Sequence, residues 1–513
     1  MQSTQIKKEK MNISKEVEKL LDGKKTIAVV CNQWGDTGKG KFVDFFGAWA
    51  DIIARGTGGA NAGHTIRLGD KEHIFHLIPS GILYDAKGKI NIIGNGVAFD
   101  PAVIEHEMGL LKKAKCSFKN LRLSKDAHLV LPQHLLMDRV KESRAGSGKI
   151  GTTGRGIGPV YEDHYTRIGL TVNDLLNMKG FEEKLKRNLR DKMVLLAQQD
   201  RQVIKQIMQH EQLGGGRFYD EKNIFNIKEI VKEYARYGKL FKNNIIDTDS
   251  FLRKALGKKK ILLEGAQGNL LSIDHGTYPF VTASDCTIQG LAKGVGLRES
   301  DVDITFGIVK APYMTRVGGG AFPTEFGGIK SEEWCSTSGI TKKTEKEKFG
   351  DLSLDESDEF KLGVAVRMAG YEYGATTGRP RRTGWLDLPF LRYSVQFSSP
   401  NVIFTKIDVL DSSKEIKICV AYEYTGPEYR VGDVVLKKGT RLNMAIPDKD
   451  VLKYCKPIYK TFPGWLTSIR GIRSSAGLPL KLKNIISFIE KEAGIKTRII
   501  SVGPDRDETI IIK

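Results

Sequence analysis

Apolar positions in this chain come in short solid runs, and most of the runs end in a glycine-rich turn. Thr26–Val30 is the first, and its lack of alternation predicts a strand buried on both faces. Ile52–Arg55, Ile90–Ile93, Ile261–Glu264, Ile304–Val309 and Val402–Asp408 repeat the pattern, and Ile499–Val502 closes it. Leu121–Leu123 and Leu129–Leu131 are shorter strand-like pieces. Phe42–Trp49 and Pro101–Lys113 instead gather their apolar residues on one helical face, with Pro101 suited to a first turn. From Asn173 to Leu256 the spacing is mostly helical. There Asn173 is expected to cap the first helix and Gly214-Gly215-Gly216 to form a loop between helices. Strands alternating with helices predict an α/β fold: a single large domain over 26–513 with a mostly parallel central β-sheet flanked by helices. Residues 1–25 read as a flexible polar tail with a short helix near Ile13–Leu21, and 327–363 as a charged, partly mobile surface insertion.

The turn after the first run carries the most chemistry. Gly35-Asp36-Thr37-Gly38-Lys39-Gly40-Lys41 fits a P-loop-like phosphate loop, set between a strand and a helix. An ordinary P-loop continues with Ser or Thr to hold Mg²⁺, but here the next residue is Phe42. Asp36 is therefore the candidate metal ligand or base, since an acid beside phosphate needs a cation to bind or a proton to move. A second glycine-rich turn, Gly56–Thr65, carries His64, a candidate acid beside the same phosphate. Thr152, Thr153 and Arg155 suit a second phosphate, and Gln267 after the Ile261–Glu264 run suits a purine edge or an amide. The stretch from Tyr373 to Gly384 sets arginines among Gly and Thr, as carboxylate and phosphate recognition requires. Thr405-Lys406-Ile407-Asp408 ends a strand with a carboxylate that can accept from both N1–H and the 2-amino group of guanine. Together these residues predict phosphoryl transfer from a guanine nucleotide with Mg²⁺, without naming the acceptor.

Composition adjusts this picture only slightly. With 40% hydrophobic and 28% charged residues the chain reads as a globular protein, and no apolar run reaches the roughly 18 residues of a membrane span. The polar, lysine-rich N-terminus does not read as a secretory signal, and the 6 scattered cysteines form no CxxC pair, so reduced thiols and a cytoplasmic setting are expected. His73 and His76 would fall on opposite faces of a strand and read as structural. The net charge of +20 raises nucleic acid as a partner, but the lysines are dispersed and no nucleic-acid-binding motif is present, so none is expected.

Several of these segments, in this order, resemble adenylosuccinate synthetase. They are Gln33–Lys41, Asn61–Thr65, Ile78–Gly81, Gly151–Pro159, Glu264–Gly268, Gly374–Arg379, Thr405–Asp408 and Gly503–Arg506. The resemblance covers Thr26 to the C-terminus. It implies a two-step ligation in which GTP phosphorylates the 6-oxygen of IMP and L-aspartate then displaces the phosphate. By position, Asp36 resembles the base at N1 of IMP and, with the backbone of Gly63, a ligand of Mg²⁺. His64 resembles the group that stabilises the leaving nucleotide, and Lys39 the lysine on the transferred phosphate. Asn61, Thr153, Gln267, Thr282 and Arg379 resemble IMP-binding residues, and Arg167 an arginine lent across a homodimer. Thr376, Thr377 and Arg379 resemble the aspartate loop. Gly35, Gly38, Gly40, Lys41, Arg381, Lys406, Asp408, Ser501 and Gly503 resemble the GTP site.

Departures from the family pattern are Thr37 beside the catalytic aspartate, Ala60 before Asn61, Pro380 within the arginine run, and the longer tail and insertion. None removes a catalytic side chain. Two other readings stay open: a phage-type relative that condenses aspartate with dGMP, in which the Asp36 position is often serine, and a non-catalytic guanine-nucleotide or nucleic-acid binder.

Overall fold

The computed structural model describes residues 15–68, 71–144, 151–374 and 378–512. Its spine is a 10-stranded sheet. The strands are β1 (Thr26–Cys31), β2 (Ile52–Arg55), β3 (Ile90–Ile93), β4 (Leu121–Ser124), β5 (Ile245–Ile246), β6 (Ile261–Glu264), β7 (Ile304–Lys310), β8 (Asn401–Thr405), β9 (Lys496–Ser501) and β10 (Thr509–Ile511). They lie in the order β5-β4-β3-β2-β6-β1-β7-β8-β9-β10. Every neighbouring pair is parallel except β9 with β10. Every residue of β1, β2 and β6 is buried, which is why their sequences run apolar without alternation.

Register brings the chemistry to one edge. Val29 lies opposite Glu264, Arg55 opposite Glu264 on the other side, and Cys31 opposite Ile308. The turns after β1, β2, β6 and β7 therefore leave the sheet together at its carboxyl edge, where ligands of such sheets bind. Gly268 shows how closely two of these turns approach. A Cβ there would lie 2.2 Å from the Gln33 carbonyl oxygen and 2.8 Å from the Gly35 nitrogen, so only glycine fits.

Helix α1 (Lys39–Gly47) starts three residues before the predicted Phe42, because Gly38 at φ 83 turns the chain directly into the helix. Helix α2 (Pro101–Lys113) has the predicted bounds, and the Asp100 side chain caps it by accepting from the amides of Ala102 and Val103. The region 173–256 holds α3 (Met178–Ala197), α4 (Ile227–Phe241) and shorter helices. Asn173 does not cap the first of them. It sits inside the turn Val172–Leu176, and α3 is capped by Asn177, whose side-chain oxygen accepts from the Gly180 amide at 3.2 Å.

In the flanking segments, the short helix expected near Ile13–Leu21 is present, and both segments carry packed side chains that their polar composition did not predict. Residues 15–20 are helical, and Val17 and Leu21 bury against Phe42, Phe46 and Trp49, so the described end of the tail is docked on α1. The stretch 327–363 contains α5 (Gly328–Ser336), α6 (Lys342–Phe349) and the start of α7 (Glu359–Gly370). Trp334, Phe349 and Phe360 pack edge to face there, so this stretch has a small core of its own. A second sheet, with Arg382–Asp387 between Tyr313–Arg316 and Glu415–Tyr424, stands beside the first. Among the described residues no helix is long and apolar enough to cross a membrane, and none of the cysteines is paired.

Candidate active site

Asp36 occupies the turn between β1 and α1 with φ 50, a left-handed conformation in which its flanking glycines also lie. Its carboxylate keeps 38% of its surface exposed and pairs with Arg381 Nε at 2.6 Å. Enclosure alone would raise its pKa. The charges of Arg381, Lys310 and Lys39 outweigh that effect and hold the carboxyl below its ordinary value. Lys310, wholly buried at the end of β7, is fixed by Glu372 at 2.7 Å and Thr315 at 2.8 Å. Its backbone is gripped from both sides by the Gln33 amide, at 2.9 and 3.0 Å. The motif residue Gln33 thus fastens the phosphate loop to β7.

His64 opens the hairpin His64–Leu68/Lys71–Phe75. Its Nδ1 meets the Glu264 carboxylate, which also accepts from the Ser80 hydroxyl and the Ser80 amide, both at 2.8 Å. A carboxylate cannot donate, so Nδ1 carries the proton and Nε2 is left facing away from Glu264. That Nε2 is buried and, among the described residues, has no partner. Burial lowers the His64 pKa, with Glu264 opposing and Arg55 and Lys39 adding to the shift. Arg55 stabilises the loop beneath, donating to the carbonyls of Gly59 at 2.8 Å, His76 and Leu77. His76 is structural, as expected: its Nδ1 meets the Ala62 carbonyl at 2.8 Å.

The expected purine residues form one chain of hydrogen bonds. Gln267 Nε2 donates to Asn61 Oδ1 at 2.9 Å, and Asn61 Nδ2 donates to Thr282 Oγ1 at 3.2 Å. Lys39 Nζ donates to the Gln267 carbonyl at 2.5 Å, which ties the phosphate loop to the same group. Thr153 is exposed ahead of the helix Ile157–Tyr165, and Arg167 is exposed, with φ 63, in the turn after it. Arg379 is exposed, and Gly63 is an exposed backbone position just before His64. Thr376 and Thr377 lie outside the described residues.

At the nucleotide end, Lys41 does not turn toward the phosphate loop in this structure. Its Nζ donates to Ser501 Oγ at 2.7 Å and to the carbonyls of Gly503 and Glu508 at 2.8 and 2.9 Å. Burial pulls its pKa down to about 7, against the nearby carboxylates of Glu508, Asp408 and Asp505. Three residues along α1, Asp44 binds Arg506 through two bonds of 2.6 Å. Lys406 Nζ donates to the Gly370 carbonyl at 2.7 Å, and the Asp408 carboxylate is paired with Arg470 at 3.1 Å.

The residue types alone assigned no role to Glu264, Ser80, Arg55, Lys310 or Arg470. For Glu264 a signal existed, since an acid closing the apolar run Ile261-Leu262-Leu263 is costly unless paired. Arg470 carried none, since it sits in an unremarkable loop far along the chain from Asp408.

Known proteins resemble this chain over nearly its whole length. The family model for adenylosuccinate synthetase matches residues 28–510. The adenylosuccinate synthetase of Halothermothrix orenii is 40% identical over 485 residues, covering 94% of this chain and 97% of that protein. That of Geotalea uraniireducens is 41% identical over 492 residues, covering 95% and 98%. The structure of a fully ligated adenylosuccinate synthetase from Plasmodium falciparum superposes with a TM-score of 0.75 at 31% identity, over 95% of this chain and 100% of that one. With matches of this extent and identity, the chain belongs to the adenylosuccinate synthetase family and is a ligase that forms a carbon–nitrogen bond.

Proposed function

We propose that the protein joins L-aspartate to IMP at the expense of GTP, through 6-phosphoryl-IMP, in the AMP branch of purine synthesis in the cytoplasm. What carries the reading is the buried, unpartnered Nε2 of His64, in the field of the same Lys39 that depresses Asp36.

Asp36 takes the N1 proton of IMP, which makes O6 the better nucleophile for the γ-phosphoryl group. Its carboxylate is kept ionised by Arg381, and it becomes more basic once Arg381 turns to the nucleotides it is suited to bridge. His64 takes up a proton as the anionic nucleotide arrives. Glu264 then holds one side of the imidazolium while Nε2–H donates to the leaving phosphate oxygen. Lys39 supplies a further positive charge, and the loop glycines Gly35, Gly38 and Gly40 let backbone amides approach the phosphates. Asn61, Gln267 and Thr282 hold the purine side of IMP, with Thr153 and Arg379 reaching the rest of it. Arg167, exposed on its turn, is lent to the partner subunit of a homodimer. Asp408 and Lys406 read guanine, while Lys41 holds the Ser501–Gly503 turn in place against it.

Magnesium fits the donors present. The partly open, ionised carboxylate of Asp36 and the exposed backbone of Gly63 suit a hard cation that keeps several waters. When bound, it would neutralise charge on the transferring phosphoryl group.

The test is turnover. Purified protein with IMP, GTP, L-aspartate and Mg²⁺ should show the absorbance change of adenylosuccinate formation. Turnover with dGMP and not IMP would replace this reading by the phage-type one, and tight GTP binding without any turnover would replace it by the non-catalytic one.

A further inference from the structure

The charged stretch 327–363 contains a carboxylate, Glu345 on α6, that is wholly buried. A buried carboxylate is costly unless its oxygens are saturated, and here they are. Arg367 on α7, equally buried, donates to both oxygens, with Nη2 at 2.7 Å and Nε at 3.1 and 3.3 Å. Trp334 Nε1 on α5 donates at 2.7 Å. The remaining partner comes from outside the helices: the Tyr373 hydroxyl donates to Oε2 at 2.6 Å.

Tyr373 is the foot of the turn that leads to Arg379 and Arg381. Residue 373 bridges to Pro380 across that turn, the Gly374 amide donates to the Arg379 carbonyl at 2.8 Å, and the Gly378 amide to the Gly374 carbonyl at 2.7 Å. Next along the chain, the Arg381 amide donates to the Glu372 carbonyl at 2.8 Å, and its guanidinium meets Asp36. The start of α6 lies close by: a Cβ on Gly378 would come 3.8 Å from the methyl of Thr341, the N-cap of α6, and Lys342 Nζ sits 3.4 Å from the ring centre of Tyr371, just ahead of Tyr373. The turn thus has two anchors. Glu372 is held from the central sheet by Lys310 and Tyr313, and Tyr373 is held from the stretch 327–363 by Glu345.

We infer that Glu345 is a positioning residue for Arg379 and Arg381, acting through the Tyr373 hydroxyl and the backbone of residues 374 and 378–381 that it anchors, and that the stretch 327–363 thereby sets how well the amino-acid substrate is captured. The assignment of that substrate to these arginines rests on the function proposed above, with Arg379 taken, by family resemblance, as part of the aspartate loop.

Tyr373→Phe is the decisive variant, because it removes one hydroxyl and leaves Glu345 paired with Arg367. KM for L-aspartate should rise roughly fivefold, the scale of losing one hydrogen bond to a charged group, with smaller rises in KM for IMP and GTP through Arg379 and Arg381, while Tm stays within a few degrees. Hydrogen exchange at the Gly374 and Gly378 amides should quicken in the variant and not elsewhere. Glu345→Gln should show the same bias toward aspartate, together with a loss of Tm. Unchanged exchange at those two amides overturns the inference, and so does a rise in all three KM values in step with a fall in Tm. Should the parent protein fail to turn over IMP, GTP and aspartate, the functional reading falls, and the exchange measurement still decides the role of Glu345.

Discussion

Two carboxylates at the carboxyl edge of the sheet are each held by a basic side chain, and they are held differently. Glu264 is wholly buried, with His64 6% exposed, and its oxygens are occupied by a ring nitrogen, a hydroxyl and an amide. Asp36 and Arg381 keep 38% and 18% of their side-chain surface exposed. The first pair sits where no ligand can replace its partners. The second sits where substrate can. A closed pair fixes a tautomer and lasts through turnover, whereas an open pair is a resting arrangement that substrate breaks. The site therefore combines a permanent orienter with an exchangeable one.

The sharpest way to break the contrast is to remove the open carboxylate. Asp36→Asn should cut kcat roughly 10²- to 10⁴-fold, the range for losing a general base, with only a small loss of Tm because the pair it makes with Arg381 is partly exposed. Glu264→Gln should lower kcat on the order of 10²-fold and also destabilise by about 3 kcal/mol, since it removes the carboxylate that offsets the buried charge of Arg55. A kinetic loss without a thermal loss would show that the closed pair is not closed. Arg381→Gln should move the acid limb of the kcat/KM profile to higher pH. The carboxyl of Asp36 lies below its ordinary 3.8 partly through Arg381, and without that charge it climbs. The same depression gives Asp36 a stabilising share that is present above pH 3.8 and lost as pH falls through its lower folded value. The smallest expected effect is a proton count. His64, depressed by burial, is neutral near pH 7, and GTP should draw in up to about one proton on binding, read by calorimetry in buffers of different ionisation heat. Held neutral below its ordinary 6.5, His64 also makes the free protein less stable as pH falls through that value.

The sheet and its turns were legible because they depend on local pattern. A solid apolar run buried on both faces and a glycine that must turn are visible residue by residue, as β1 and Gly38 show. What escaped depends on pairing across long stretches of chain. Glu345 reads as one more charge in a charged stretch, and only folding brings Arg367, Trp334 and Tyr373 around it. Lys41 reads as a phosphate lysine from its neighbours, but its partners lie 460 residues further on. Asn173 failed as a cap because Thr171 and Asp174 already close the turn it occupies, leaving Asn177 to start the helix.

The fastening of α1 to the turn 501–508, through Lys41 and through Asp44 with Arg506, joins residues separated by most of the polypeptide. Contacts of that separation form late, after the loop between them has been closed. A chain emerging from the ribosome would carry its phosphate loop early and still lack the surface that steadies a guanine. GTP should then have little hold on the nascent protein, and chains cut short before residue 501 should bind it more weakly than the full chain.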